Sequence, residues 1–183
     1  MITGYDTSIQ TKTKTVEDYH VTLSEAKQQL RVDSTLNYDD ARINQLIKAS
    51  VDFVASRTNG DVGQTKNVLT LTNFTGDSLI VYDAPFLSIL GLSGDNGSQS
   101  YTLEYVKYNR FLLEFPQELQ ESTLTLEYKT GFATGQLPEA IRQAILLQIN
   151  SFYDEISGEY VMGTWKENYV IDKLIDRYKI IHV

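Results

Sequence analysis

The chain has 183 residues, 24 acidic against 16 basic side chains for a formal net charge of −8, and no cysteine. A chain of that length can bury about 70% of its unfolded surface, so its core needs no disulfide or metal; the missing cysteines exclude thiol chemistry and thiolate metal sites and fit a reducing compartment. The acidic balance argues against a protein that grips duplex DNA, since that affinity comes from Lys and Arg neutralising phosphates, but it leaves room for a surface that DNA passes without sticking.

The opening "MITGYDTSIQTKTK" lacks the apolar core of a secretory signal. No apolar run approaches the roughly 18 residues that cross a bilayer, so a soluble protein with no membrane partner is expected. Residues 1–20 show no helical period and read as an extended arm, strand-like when it meets a partner. Thr22 and Glu25 then have capping-box spacing, with Leu23, Ala26 and Leu30 on one face, which predicts a helix over about 23–32. "DSTLNYDD" breaks it, and Asp39 is placed to cap a second helix over about 40–58. Its stripe is Ile43, Leu46, Ile47, Val51 and Val54, and its stop is Asn59-Gly60.

From about 68 to 130 the period changes to two. "VLTLTNF", "SLIVY", "LSILGL", "YTLEYVKY", "FLLEF" and "TLTLEYK" are strand candidates. Asn96-Gly97 is a strong hairpin signal, and Gly76-Asp77 and Asn109-Arg110 are weaker turns. "FLSILGL" is apolar at most positions rather than alternating, which suggests a strand covered on both faces. Pro138 opens a helix over about 138–156, unusually apolar, expected behind the sheet. A final helix over about 166–179 carries Val170, Ile171, Leu174, Ile175 and Tyr178 on one side, followed by a tail, 180–183. The predicted class is α+β: two N-terminal helices, a small antiparallel β-sheet, then two C-terminal helices, forming one domain over 21–179.

Little in the chain points to bond-making chemistry. His20 and His182 have no ligand-spaced partner. Asp33, Thr35, Asn37 and Asp39 alternate faintly like a calcium loop, but Tyr38 stands where glycine is needed and Asn44 where a bidentate Glu is needed. "GDVGQTK" lacks phosphate-loop spacing. Asp154 and Glu155 are adjacent, so on a helix they point about 100° apart and cannot flank one bond. No serine sits in a nucleophile elbow. The expectation is therefore no enzyme, no cofactor and no metal. The surplus of apolar and aromatic side chains, with 12 tyrosines among them, suits subunit interfaces as well as a core.

"VTLSEAKQQLRVD", "DDARINQLIKASVDFVASRTNG", "APFLSILGLSGDNGSQSYTLE", "LTLEYKTGFATGQLPEAIRQAILLQINSFYDE" and "VIDKLIDRYKI", in this order, resemble tailed-phage head–tail connector proteins, the adaptor or head-completion family. The likeness spans about residues 21–180. Lys179 stands where the family's closing motif has arginine, and the third helix lacks an arginine often found near its end. The resemblance implies a ring of about twelve subunits in the virion neck, beneath the portal protein. Such a ring extends the DNA channel, binds no DNA specifically, and docks the tail or a stopper protein; assembly would begin in the host cytoplasm. It also implies a portal or subunit contact near the C-terminus, for which Tyr178, Ile180, Ile181, Val183 and Trp165 are the candidates. The alternative from another class is a non-enzymatic protein- or carbohydrate-binding module of a phage or bacterial surface assembly.

Overall fold

The computed structural model describes residues 10–107, 110–156 and 169–180. Its order is β1 (Gln10–Asp18), α1 (Leu23–Leu30), α2 (Asp40–Thr58), β2 (Gln64–Val81), β3 (Phe86–Gly94), β4 (Gly97–Ser98), β5 (Thr102–Lys107), β6 (Arg110–Thr130), α3 (Glu139–Ile156) and α4 (Tyr169–Ile175), then a 3-10 turn, Asp176–Tyr178. The class is α+β. The described residues divide into two compact units, a sheet unit within 10–17 and 64–132 and a helical unit within 18–63, 133–156 and 169–180.

The sheet runs β1-β2-β6-β3-β4, with β5 beside the far half of β6. The arm is therefore an edge strand of its own chain's sheet over Gln10–Asp18. The β-region also begins earlier than expected, at Gln64.

The expected turn at Gly76-Asp77 is a bulge within one continuous strand. Gly76 pairs with Leu119 and Ser78 with Glu114, so Phe115 to Glu118 are accommodated on the β6 side. Pro116 explains the break, because it has no N–H to give the ladder. A second irregularity lies at Asn73, whose φ is +54°. Burial alternates through Leu69 and Leu71, then changes phase to Phe74. On β6 the phase changes between Glu121 and Leu124, opposite the same point. Both strands thus turn an apolar face to one cluster built on Leu69, Leu71, Leu79, Phe111, Leu113, Leu124, Leu126 and Tyr128. At its centre the Phe111 ring lies 4.4 Å from Phe86 and 5.3 Å from Tyr128.

The apolar run "FLSILGL" resolves into two bulges on β3, between Phe86 and Ser88 and between Ile89 and Gly91. Leu90 stays 47% exposed, so the strand is not covered on both faces within the chain. The β3–β4 hairpin does form, through Asp95 and Asn96, with Gly97 at φ +105°, a backbone that favours glycine. It is fastened to β6 by carboxylates. Asp95 accepts the N–H groups of Ser122 and Thr123 at 2.7 and 3.0 Å. Buried Glu121 accepts Asp95 N–H and the Gln99 amide, both at 2.7 Å. A Cβ on Gly94 would fall inside the Glu121 carboxylate. Gly94→Ala is therefore expected to expel that carboxylate and cost about 1–3 kcal/mol, read as a lower urea midpoint and faster amide exchange at Asp95 and Ser122.

In the helical unit α3 packs against α1, α2 and α4. Its stripe, Ile141, Ala144, Ile145 and Ile149, is fully buried. Helix neighbours account for the apolar character that the sequence reading assigned to a place behind the sheet. The second half of the last predicted helix is shorter than expected: α4 stops at Ile175 and the 3-10 turn takes over, while 166–168 lie outside the described residues.

Candidate functional site

The helical unit carries two surface features worth building from their residues, one at each end of α2. At its N-terminal end, the α1–α2 connection is held from several sides. The capping box forms: Thr22 Oγ1 accepts Glu25 N–H at 3.2 Å, and Glu25 Oε2 accepts Thr22 N–H at 2.8 Å. One residue further, Ala26 is fully buried, and Lys27 runs inward with its side chain 7% exposed. The Lys27 ammonium lies 2.5 Å from Asp40 Oδ1 and donates to Leu36 O at 2.6 Å. Asp33 closes the turn by accepting the N–H and hydroxyl of Thr35 at 2.8 and 2.7 Å, which holds its carboxyl below the ordinary 3.8. Asp39 is the N-cap of α2 but makes no side-chain capping bond. Its Oδ2 instead accepts the Tyr153 hydroxyl at 2.9 Å, which pushes that phenol above its ordinary 10.0. The carboxylates of the faint calcium pattern are thus engaged by the turn and by Tyr153 of α3. Among the polar residues of the loop two large apolar side chains are presented outward: Leu36 is 43% and Tyr38 72% exposed.

At the C-terminal end, Asn59 takes the left-handed backbone at the C-cap, φ +57°, as the Asn-Gly stop predicts. Here a surface cleft of about 490 Å³ is lined by Arg57, Tyr169, Asp172, Lys173, Asp176 and Lys179. Arg57 Nη1 lies 3.5 Å from Asp172, and Lys179 Nζ 2.9 Å from Asp176. Lys173 Nζ has no carboxylate partner among the described residues and stands 4.8 Å from the Tyr169 ring centre. Tyr169 and Val170 are exposed.

Of the predicted contact residues, Tyr178 is half-buried in the 3-10 turn, its hydroxyl accepting from Arg177 at 2.5 Å. Ile180 is buried in its own helical unit: its N–H donates to Thr58 O at 2.8 Å, and its carbonyl accepts from Asn59 at 3.3 Å. Trp165, Ile181 and Val183 lie outside the described residues. The reading of the sequence missed Lys27, Arg142 and Asp40, because a buried Lys or Arg carries no periodic signal. It also did not single out the exposed Leu36 and Tyr38, which only the fold distinguishes from core residues.

A second cleft, of about 350 Å³, is lined by Asp18, His20, Val21, Thr22, Glu25, Thr134, Gly135 and Arg142. Arg142 donates to His20 O at 2.7 Å and to Glu25 at 3.1 Å, so α3 holds the start of α1. The His20 ring is buried, with Nδ1 3.5 Å from Asp18, and Nε2 has no hydrogen-bond partner among the described residues. Partial burial pushes the Glu25 carboxyl up, but the Thr22 N–H and hydroxyl and Arg142 outweigh it, leaving it below its ordinary 4.5. Burial likewise opposes ionisation of Asp18, and the Thr134 hydroxyl, His20 N–H and nearby cations bring it below 3.8. Both groups are more acidic folded than unfolded, so on acidification the unfolded chain takes up protons first. Their stabilisation is present above about pH 4.5 and is lost as pH falls through the lowered folded values. Urea midpoints taken between pH 6 and pH 3 should drop, and Glu25→Gln should flatten that slope.

Among the described residues no group of three or more His, Cys, Asp or Glu could hold a metal ion, and no helix is long and apolar enough to cross a membrane. The family model described as "Phage gp6-like head-tail connector protein" matches residues 20–83, the stretch from the α1 cap through β2. Over this segment, about a third of the chain, the sequence is similar to head–tail connector proteins. The capping box, Ala26 and Lys27 within the matched segment have structural duties: they start α1, pack it, and fix the loop to α2.

Solved structures extend the likeness beyond that segment. A chain in "Neck of empty GTA particle computed with C6 symmetry" matches with a TM-score of 0.70 at 18% identity, over 96% of this chain and 97% of that one. A chain in "Neck of native GTA particle computed with C12 symmetry" gives 0.68 at 17% identity, over the same 96% and 97%. A third, from "Virion of native gene transfer agent (GTA) particle", gives 0.67 at 18% identity. At these identities the match is one of fold, and it extends well past residues 20–83 that the family model matches. No curated protein matches the chain.

Proposed function

We propose that this chain is a structural, non-enzymatic head–tail connector, a ring subunit of the neck of a tailed phage or phage-like particle, seated beneath the portal, extending the DNA channel and docking a tail or stopper protein. The observation that carries this reading is the end-to-end fold match to a neck subunit, 96% of this chain on 97% of that one, joined to the family match over α1, α2 and β2. The chemistry of the chain supports it. Its titratable clusters are engaged in caps, turns and helix–helix contacts. A ring of about twelve copies carries a formal charge on the order of −100 from −8 per chain, and a like-signed lumen lets phosphates slide past.

The C-terminal segment is the proposed portal or subunit contact, with Tyr178, Ile180, Ile181, Val183 and Trp165 as its residues. Ile180 supports this as the anchor, since its backbone bonds to Thr58 and Asn59 fix the end of the described chain on the helical unit.

Deleting the gene from its particle and imaging the products tests the reading. Filled heads without tails are the expected result, and normal tailed particles lacking this chain would overturn it. A second measurement addresses the channel. The purified chain should show no saturable binding to labelled duplex DNA at 0.15 M salt by fluorescence anisotropy.

A further inference from the structure

The two ends of α2 are complementary to each other. The Asp33–Asp40 loop is an acidic knob with an apolar tip. Of its three carboxylates Asp40 is paired with Lys27, which leaves Asp33 and Asp39 to give the knob its charge; Leu36 and Tyr38 are exposed, and the backbone is fixed by Lys27 and the Asp33–Thr35 turn. The cleft at the other end offers the opposite chemistry. Its two carboxylates are already paired with Arg57 and Lys179, its Lys173 ammonium has no carboxylate partner among the described residues, and its rim exposes Tyr169 and Val170. Asp40 and Arg57 are separated along α2 by about 25 Å of helix. The knob therefore cannot reach the cleft of its own chain.

We infer that the knob of one copy seats in the cleft of the next, placing Tyr38 beside Tyr169 and Val170 and an acidic rim beside Lys173. The occupant is a second copy of this chain because both halves of the match are found on one molecule, at opposite ends of a rigid helix. Two different patches meeting in this way make a heterologous contact, which closes into a ring when the rotation per subunit allows. Exposed aromatic anchors with a charged rim have the composition of a protein–protein interface. Lys27 becomes a positioning residue for it, since its buried ammonium holds the carbonyl of Leu36 and so sets how the tip is presented. The inference rests on the ring reading above and adds which surfaces touch.

The chain has no cysteine, so a disulfide trap has no background. A variant carrying Tyr38→Cys and Lys173→Cys cannot close within one chain, because a disulfide needs Cα atoms within about 7 Å. Both positions are exposed, so the fold should tolerate the changes. A control carries Tyr38→Cys and Gln143→Cys, the latter on the exposed side of α3. Particles assembled with each variant are oxidised and their necks analysed by non-reducing electrophoresis. The expected result is a ladder of multimers, at least about tenfold stronger for the first pair than for the control, together with weakened crosslinking when assembly is done at higher salt. Necks that contain a ring of this chain but give no ladder above the control would overturn the contact while leaving the connector role intact. Particles whose necks lack the chain altogether would overturn both.

Discussion

Phe111→Ala is expected to lower the stability of the sheet unit by about 3–5 kcal/mol, the largest effect of any single substitution proposed for this chain. Phe111 is fully buried on β6, pairs with Val81 across the β2 ladder, and stacks between Phe86 and Tyr128. Truncation removes the transfer free energy of the ring and leaves a hole that the flanking rings can only partly fill. It also loosens Tyr128, whose hydroxyl bonds to Asp83, the carboxylate that also pairs with Lys12 on β1. Amide exchange should therefore accelerate along β6 and β2 and reach the edge strand β1. A urea midpoint unchanged within error would show that the cluster collapses around the gap.

The second large effect is expected at Lys27. Lys27→Met keeps most of the stem's packing and removes the charge, which leaves Asp40 without its 2.5 Å partner and Leu36 O without its donor. Asp40 is 30% exposed and Leu36 lies at the surface, so water takes up part of the loss and the cost is about 1 kcal/mol, at the low end for an abandoned partner. Asp40→Asn in the same background should recover part of the loss, and the double-mutant cycle should give a coupling of about 0.5–3 kcal/mol. Lys27→Met should also increase amide exchange over 33–39. If the knob is the neighbour contact, crosslinking through Tyr38 should fall even at temperatures where the helical unit stays folded.

Legibility along the sequence followed how local the physics is. The start of α1 and the stop of α2 were readable because they depend on neighbours within four residues, the Thr22–Glu25 box and the left-handed Asn59. In contrast, α1 ends two residues early, at Leu30 before a left-handed Arg31, and Asp39 precedes α2 without a side-chain capping bond. The β3–β4 hairpin was readable for the same reason, a glycine placed where the turn needs positive φ. The supposed turn at Gly76-Asp77 was misleading because a glycine next to an aspartate also suits a bulge. The choice between them was made by Pro116 on a strand distant in sequence. "FLSILGL" misled likewise, since two bulges on β3 spread its apolar residues over both faces without any cover for Leu90.

The sequence by itself determined the α+β class, the start of α1, the stop of α2, the hairpin and the order of motifs that resembles a connector, all of which rest on short-range spacing and chain order. Only the tertiary structure decided that β1 joins the chain's own sheet and that the chain divides into a sheet unit and a helical unit. It also decided that α3 buries its stripe against helices, and that buried Lys27 and half-buried Arg142 are fasteners while Leu36, Tyr38, Tyr169 and Val170 face outward. The reason is physical. Strand partners and burial are settled by residues tens to more than a hundred positions apart, and a lysine or leucine has the same local signature whether it ends in the core or on the surface.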